Sequence, residues 1–156
     1  MNYHRARIPG GCYFFTVVTR QRRKLFNNDI TIKLLRNVFR SVMNKHPFAI
    51  DAIVILPDHL HCIWTLPGGD TNFAMRWRLI KTHVTQGMSD CSTAHQIHPA
   101  GSRRATQSVW QHRYWEHVIR NEADFRAHVD YIHYNPVRHG YVKRAADWPW
   151  SSFRLY

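Results

Sequence analysis

The chain has 156 residues, 44% of them apolar and 13% aromatic, which suits one domain over 1–156 with a sizeable core and excludes a disordered tail. Lys and Arg number 22 against 10 Asp and Glu, a formal charge of +12 with His neutral, so the expected partner is a polyanion, nucleic acid first. There is no run of about 18 apolar residues, no signal-peptide pattern and no CxxC pair among Cys12, Cys62 and Cys91, which argues against a membrane span, a secreted disulfide scaffold or a cysteine zinc site and gives a cytoplasmic, nucleoid-associated expectation.

Gly10-Gly11 precedes an aromatic and β-branched strand, Tyr13 to Thr19, and Arg20 to Lys24 is a basic loop. Asn28 or Asp29 caps a helix to about Lys45, with Leu34, Leu35, Val38, Phe39 and Val42 at helical spacing, ended by His46-Pro47. Phe48 to Leu56 and His59 to Leu66 are strands joined by a tight Pro57-Asp58 turn, and Pro67-Gly68-Gly69 closes the second. A second helix fits Thr71 to about Gln86. Residues 89–108 are rich in Ser, Thr, His, Arg and Gly without an apolar period, and read as a long, mobile loop. Tyr114 to Ile119 is a fourth strand; Asn121 caps a third helix to about Tyr134, and Asn135-Pro136 is expected to stop it. The order β-α-β-β-α-β plus an extra helix predicts an α+β, ferredoxin-like split sheet, the added helix carrying Tyr131.

Three features carry chemistry. On a strand side chains alternate faces, so His59 and His61 share a face with Ile63 and Thr65, while Leu60, Cys62, Trp64 and Leu66 form the apolar face. Two imidazoles so placed can bind one divalent ion, although in a chain with twelve histidines the same pattern also describes two surface histidines. Tyr131 and Asn135 are four apart on the third helix and share a face, off the centre of the stripe made by Phe125, Val129 and Ile132. Taken alone they also read as a core-edge aromatic and a helix-ending Asn. The basic residues Arg20, Arg22, Arg23, Lys24, Arg76, Arg78, Lys81 and Arg138, with Trp77, Trp110, Tyr114 and Trp115 interleaved, offer the phosphate-neutralising and stacking groups that single-stranded nucleic acid requires, although several of the tryptophans, Trp77 on the inward face of its helix among them, also read as core aromatics. Together they describe an ion on His59, His61 and Asn135 that polarises a phosphate attacked by the Tyr131 hydroxyl.

The segments LPDHLHCIWTLP and WQHRYWEHVIRNEADFRAHVDYIHYNPVRHGYV resemble the HUH motif and the tyrosine region of the single-tyrosine HUH transposases, in particular the REP-associated tyrosine transposases. The resemblance runs from about Tyr3 to Phe153. It implies that His59 and His61 are the HUH histidines, Tyr131 the nucleophile and Asn135 the third metal ligand, a Gln in related insertion-sequence enzymes. It also implies Mg²⁺ or Mn²⁺, and a single-stranded DNA substrate carrying an imperfect REP hairpin with a short tetranucleotide at its foot. Cys91 to Thr106 stands out from the family pattern as an insertion. A monomer is expected, because the His pair and the tyrosine occur in one chain. Two other readings remain at this point: a non-catalytic hairpin-binding protein, and a metal-dependent phosphohydrolase built on the His pair.

Overall fold

The computed structural model describes residues 7–91 and 103–156. Strands β1 (Cys12–Val18), β2 (Ala49–Ile55), β3 (His59–Thr65) and β4 (Trp115–Val118) form one sheet in the order β2-β3-β1-β4. Every neighbouring pair is antiparallel, the arrangement expected of a ferredoxin-like split sheet. The helices are α1 (Asp29–Lys45), α2 (Phe73–Cys91), α3 (Arg103–Val109) and α4 (Glu122–Arg138). Asn28 caps α1 by accepting the Thr31 N–H, and β2 turns into β3 across Pro57-Asp58, closed by Leu56 N–H to the His59 carbonyl at 2.8 Å.

The sheet is covered on both faces. Leu60, Cys62 and Trp64 of β3 and Tyr13, Phe15 and Val17 of β1 point into a core shared with α1 and α2. Within it Trp64 stacks on Trp77 with ring centroids 4.3 Å apart. Phe14, Ala52, Val54 and Ile63 point the other way, under Val129 and Ile132 of α4. The β3 alternation read from the sequence is therefore the one found. The chain end covers the outer edge of β2: Ile55 N–H donates to the Trp150 carbonyl at 2.9 Å, and Ile53 N–H to Ser152 Oγ at 2.9 Å. Among the described residues no helix is long and apolar enough to cross a membrane.

Three expectations need correction. The loop over 89–108 is helix at both ends: α2 continues to Cys91 and α3 begins at Arg103, while 92–102 lie outside the described residues. The apolar period of α2 fades after Val84, which hid its last turn. Second, α4 does not stop at Asn135-Pro136 but runs to Arg138 with Pro136 inside it. The stop is Gly140, at φ +77°, where Tyr141 N–H bonds the Pro136 carbonyl and Gly140 N–H the Val137 carbonyl. That pair is a Schellman ending, in which glycine takes the left-handed position. Third, the stacking reading of Trp77 and Trp110 gives way to its alternative: both are core residues, Trp77 inward as its helical spacing implies.

Arg76 and Lys81 also leave the expected DNA surface. Arg76 is only 2% exposed. Its guanidinium donates to both Asp70 carboxylate oxygens and to the carbonyls of His46, Pro47 and Asn72, tying the start of α2 to the end of α1. Lys81 is buried and donates to the Gln111 carbonyl at 3.0 Å, with its ammonium 5.2 Å from the Tyr114 ring. Both cations lie inside the packed structure because α2 buries the face that carries them. Removing Arg76 strands several carbonyls and the Asp70 charge. Arg76→Ala is expected to lower unfolding stability by about 2–3 kcal/mol in a denaturant titration, with DNA affinity at fixed salt unchanged.

Candidate active site

The period of β3 sends His59 and His61 to the α4 face, where both are buried. Each ring is held through Nδ1. His59 Nδ1 lies 2.6 Å from Asp58 Oδ1, and His61 Nδ1 lies 2.8 Å from Thr16 Oγ1, its cross-strand partner on β1. With Nδ1 taken in both rings, Nε2 is the nitrogen left for a ligand, the usual arrangement when an outer partner fixes a metal-binding imidazole. The ring centroids are 4.9 Å apart.

α4 lies across this pair. Asn121 caps it by accepting the Asp124 N–H at 2.8 Å. Tyr131, 38% exposed, places its ring 5.2 Å from His61 and 5.9 Å from Phe14. His139, at the end of the helix, places its ring 5.2 Å from His59. Asn135 lies between them, one turn from each on the same face, since residues four apart stack along a helix. It is 1% exposed, and neither its amide nitrogen nor its oxygen has a hydrogen-bond partner. A buried polar group left unmet costs about 1–3 kcal/mol. The unmet oxygen, on a residue flanked by Tyr131 and His139, is an acceptor that a cation can meet, whereas the unmet N–H groups are donors and need a different partner. The residues present fit a divalent ion: two nitrogens and an amide oxygen.

The electrostatics agree. Burial, then the charges of His59, His139, Arg138 and Arg22, push His61 down to about 3, so it stays neutral and keeps a lone pair for a ligand. Burial pushes the Asp58 carboxyl up, but the His59 hydrogen bond and the His59 and Arg22 charges outweigh it and hold the group below the usual carboxylate range. Arg22 completes that chain, 3.4 Å from Asp58 Oδ2.

Arg20, Arg22, Arg23, Lys24, Arg78 and Arg138 are exposed, as a phosphate-binding surface requires. The Arg138 guanidinium sits 5.6 Å from the centre of the Tyr131 ring. Arg23 donates to the Ser108 carbonyl, linking the basic loop to α3. Asp58, Thr16 and His139 were not singled out as site residues in the sequence. Asp58 was readable, because it precedes His59 directly; Thr16 and His139 depend on strand register and on where α4 ends.

With this geometry in hand, relatives can be placed. The family described as Transposase IS200 like matches residues 10–135. The chain belongs to this transposase family. A REP-associated tyrosine transposase of Escherichia coli strain K12 is 46% identical over 151 residues, covering 97% of this chain and 81% of that protein. A relative from Haemophilus influenzae is 41% identical over 153 residues, covering 97% of this chain and 85% of that one. A solved REP-associated tyrosine transposase, bound to a REP hairpin, is similar at TM-score 0.82 and 43% identity, over 99% of this chain and 84% of that chain. As an IS200-like transposase the chain is an enzyme that processes DNA, and the matched span holds His59, His61, Tyr131 and Asn135.

A pH effect follows from His61. Its folded value lies near 3, whereas an imidazole in an unfolded chain titrates near 6.5. Between those values the unfolded state binds the extra proton, so stability is full above about pH 6.5 and falls as pH drops toward 3. In chelator, the slope of unfolding free energy against pH in that window should be shallower in His61→Asn by up to about 1.4 kcal/mol per pH unit. An unchanged slope would show that His61 takes up its proton in the folded protein.

Proposed function

We propose that this transposase cuts and rejoins single-stranded DNA at hairpin-forming REP sequences, with Tyr131 as the attacking group. The observation that carries the reading is the buried, unpartnered amide of Asn135, flanked on its helix by the residues that touch His61 and His59. His59, His61 and Asn135 would hold a divalent ion, Mg²⁺ or Mn²⁺, whose positive charge would polarise the scissile phosphate. Mn²⁺ accepts imidazole more readily than Mg²⁺ does, so tighter binding of Mn²⁺ is expected.

The Tyr131 oxygen attacks phosphorus in line, the bond to the 3′ oxygen breaks, and the departing strand leaves with a 3′-hydroxyl. A 5′-phosphotyrosine then conserves the bond energy, and a later 3′-hydroxyl reverses the step and restores the phosphodiester. Arg138, over the tyrosine ring, adds positive charge beside the position where the phosphate would meet Tyr131. Asp58 and Thr16 keep the two imidazoles aimed. Arg20, Arg22, Arg23, Lys24 and Arg78 grip the backbone, and exposed Trp115 offers a stacking face at the sheet edge. The His pair and Tyr131 meet within one chain, which supports a monomer.

The test is incubation of a single-stranded REP hairpin with protein and Mn²⁺, followed by a denaturing gel. Wild type should give a covalent protein–DNA band, lost in excess chelator, and fully paired DNA of the same sequence should stay intact. Tyr131→Phe should bind the hairpin yet lose cleavage by at least about 10³-fold, roughly 4 kcal/mol of transition-state stabilisation. Tyr134→Phe and Tyr141→Phe should keep it, since of the three tyrosines it is Tyr131 whose ring packs on His61, while Tyr141 packs on Trp148. His59→Ala should fail through weakened metal binding and recover in part with excess Mn²⁺. Nicking by Tyr131→Phe with normal metal dependence would mean that water attacks, and the hydrolase reading would stand.

A further inference from the structure

A second cluster of metal-ligating side chains lies on the same face of the sheet, toward the start of α4. His117 on β4 pairs in register with Phe14, so it points to the α4 face as Phe14 does. Asp124 and His128 are four apart on α4 and share its underside. His117 Nε2 lies 2.9 Å from Asp124 Oδ2, and His128 Nδ1 lies 3.1 Å from Asp124 Oδ1. The two imidazoles stack at 4.6 Å with 18° between their planes, and ligand atoms of all three residues lie within 4.8 Å of one another. All three side chains are half-buried, which leaves a side open to water.

From these contacts we infer that His117, Asp124 and His128 form a second metal site, for an ion of the zinc class, that ties β4 to the first turns of the helix carrying Tyr131. The two imidazoles flank one carboxylate, His117 Nε2 at 2.9 Å from Oδ2 and His128 Nδ1 at 3.1 Å from Oδ1, which leaves all three residues close enough to share an ion with bonds of about 2.0–2.2 Å after small side-chain turns. Two imidazoles and one carboxylate are a borderline-soft set suited to zinc, whereas magnesium favours an all-oxygen shell. The competing description is a hydrogen-bonded triad only, since Asp124 Oδ2 also accepts the Arg120 N–H at 3.0 Å and His128 Nδ1 lies 2.8 Å from the Asp124 carbonyl.

The site is separate from the His59–His61 pair. Phe14 stands between them, its ring 4.8 Å from that of His128 and 5.5 Å from that of His61. The inference is therefore independent of the role proposed for Tyr131. The experiment is zinc binding by equilibrium dialysis on chelator-stripped protein. His59→Ala/His61→Ala should retain a zinc equivalent, and adding His117→Ala/His128→Ala should remove it. In the wild-type background His117→Ala/His128→Ala should lower the stoichiometry by one, which decides the matter if the other variant fails to fold. Asp124→Asn keeps a carbonyl oxygen for the Arg120 N–H but loses the charge, so zinc should bind at least tenfold more weakly, with Tm in chelator little changed. Zinc stoichiometry that follows only His59 and His61, with no response to His117 and His128, would overturn the site and leave the hydrogen-bonded triad.

Discussion

The alternation of side chains along β3, within a sheet covered on both faces, is the constraint on which the rest of the structure depends. Leu60, Cys62 and Trp64 must enter the core beneath α1 and α2, so His59 and His61 are forced together onto the other face. A slip of one residue in pairing would turn both histidines into the apolar core under α1 and α2 and drive Trp64 against α4, so the hydrophobic core itself fixes the register of the site. α4 then closes over the histidines through Val129 and Ile132, which pack on Ile63 and Phe14. The packing that holds the helix down is thus the packing that sets Tyr131 against His61.

Such closure has an electrostatic consequence in a chain with a formal charge of +12. Arg22, Arg138 and His139 crowd the pair, and burial already disfavours charge there, so His61 is kept neutral. The same cations leave the site attractive to a phosphate. Asp58 is a carboxylate bound to His59 and facing Arg22, so it joins the basic loop to the histidine pair. Arg76 shows the opposite use of charge: its guanidinium is consumed by carbonyls and Asp70 and serves the fold alone.

Much of this was readable in the sequence because it rests on local periodicity. The strands, α1 with its Asn28 cap, the Pro57-Asp58 turn and the shared face of His59 and His61 all follow from spacing over a few residues. What stayed hidden depends on contacts between distant segments. Thr16 meets His61 only through the pairing of β1 with β3, 45 residues apart. Arg76 and Lys81 look like surface cations until α2 is laid on the sheet. The polar composition of 89–108 masked the helical turns at both ends, because composition reports solvation and not backbone hydrogen bonding.

The end of α4 shows how one misjudged boundary changes a site. Proline lacks an N–H, so Pro136 forfeits the bond to the Ile132 carbonyl, and the residue before it is disfavoured in helix. The helix nevertheless continues, because Asn135 and Pro136 are buried and the Gly140 ending satisfies the carbonyls that follow. Stopping at Asn135 would free the backbone at the residue whose side chain must be held still. Continuing to Arg138 locks Asn135 in a turn whose next members bring Arg138 over the Tyr131 ring and His139 against His59. The asparagine amide is then fixed between two contacts to the histidine pair without a partner of its own. Each unmet group costs about 1–3 kcal/mol, which the packing of Val129 and Ile132 on the sheet offsets, and the oxygen so held makes the last turn of α4 a candidate part of the site together with the histidines.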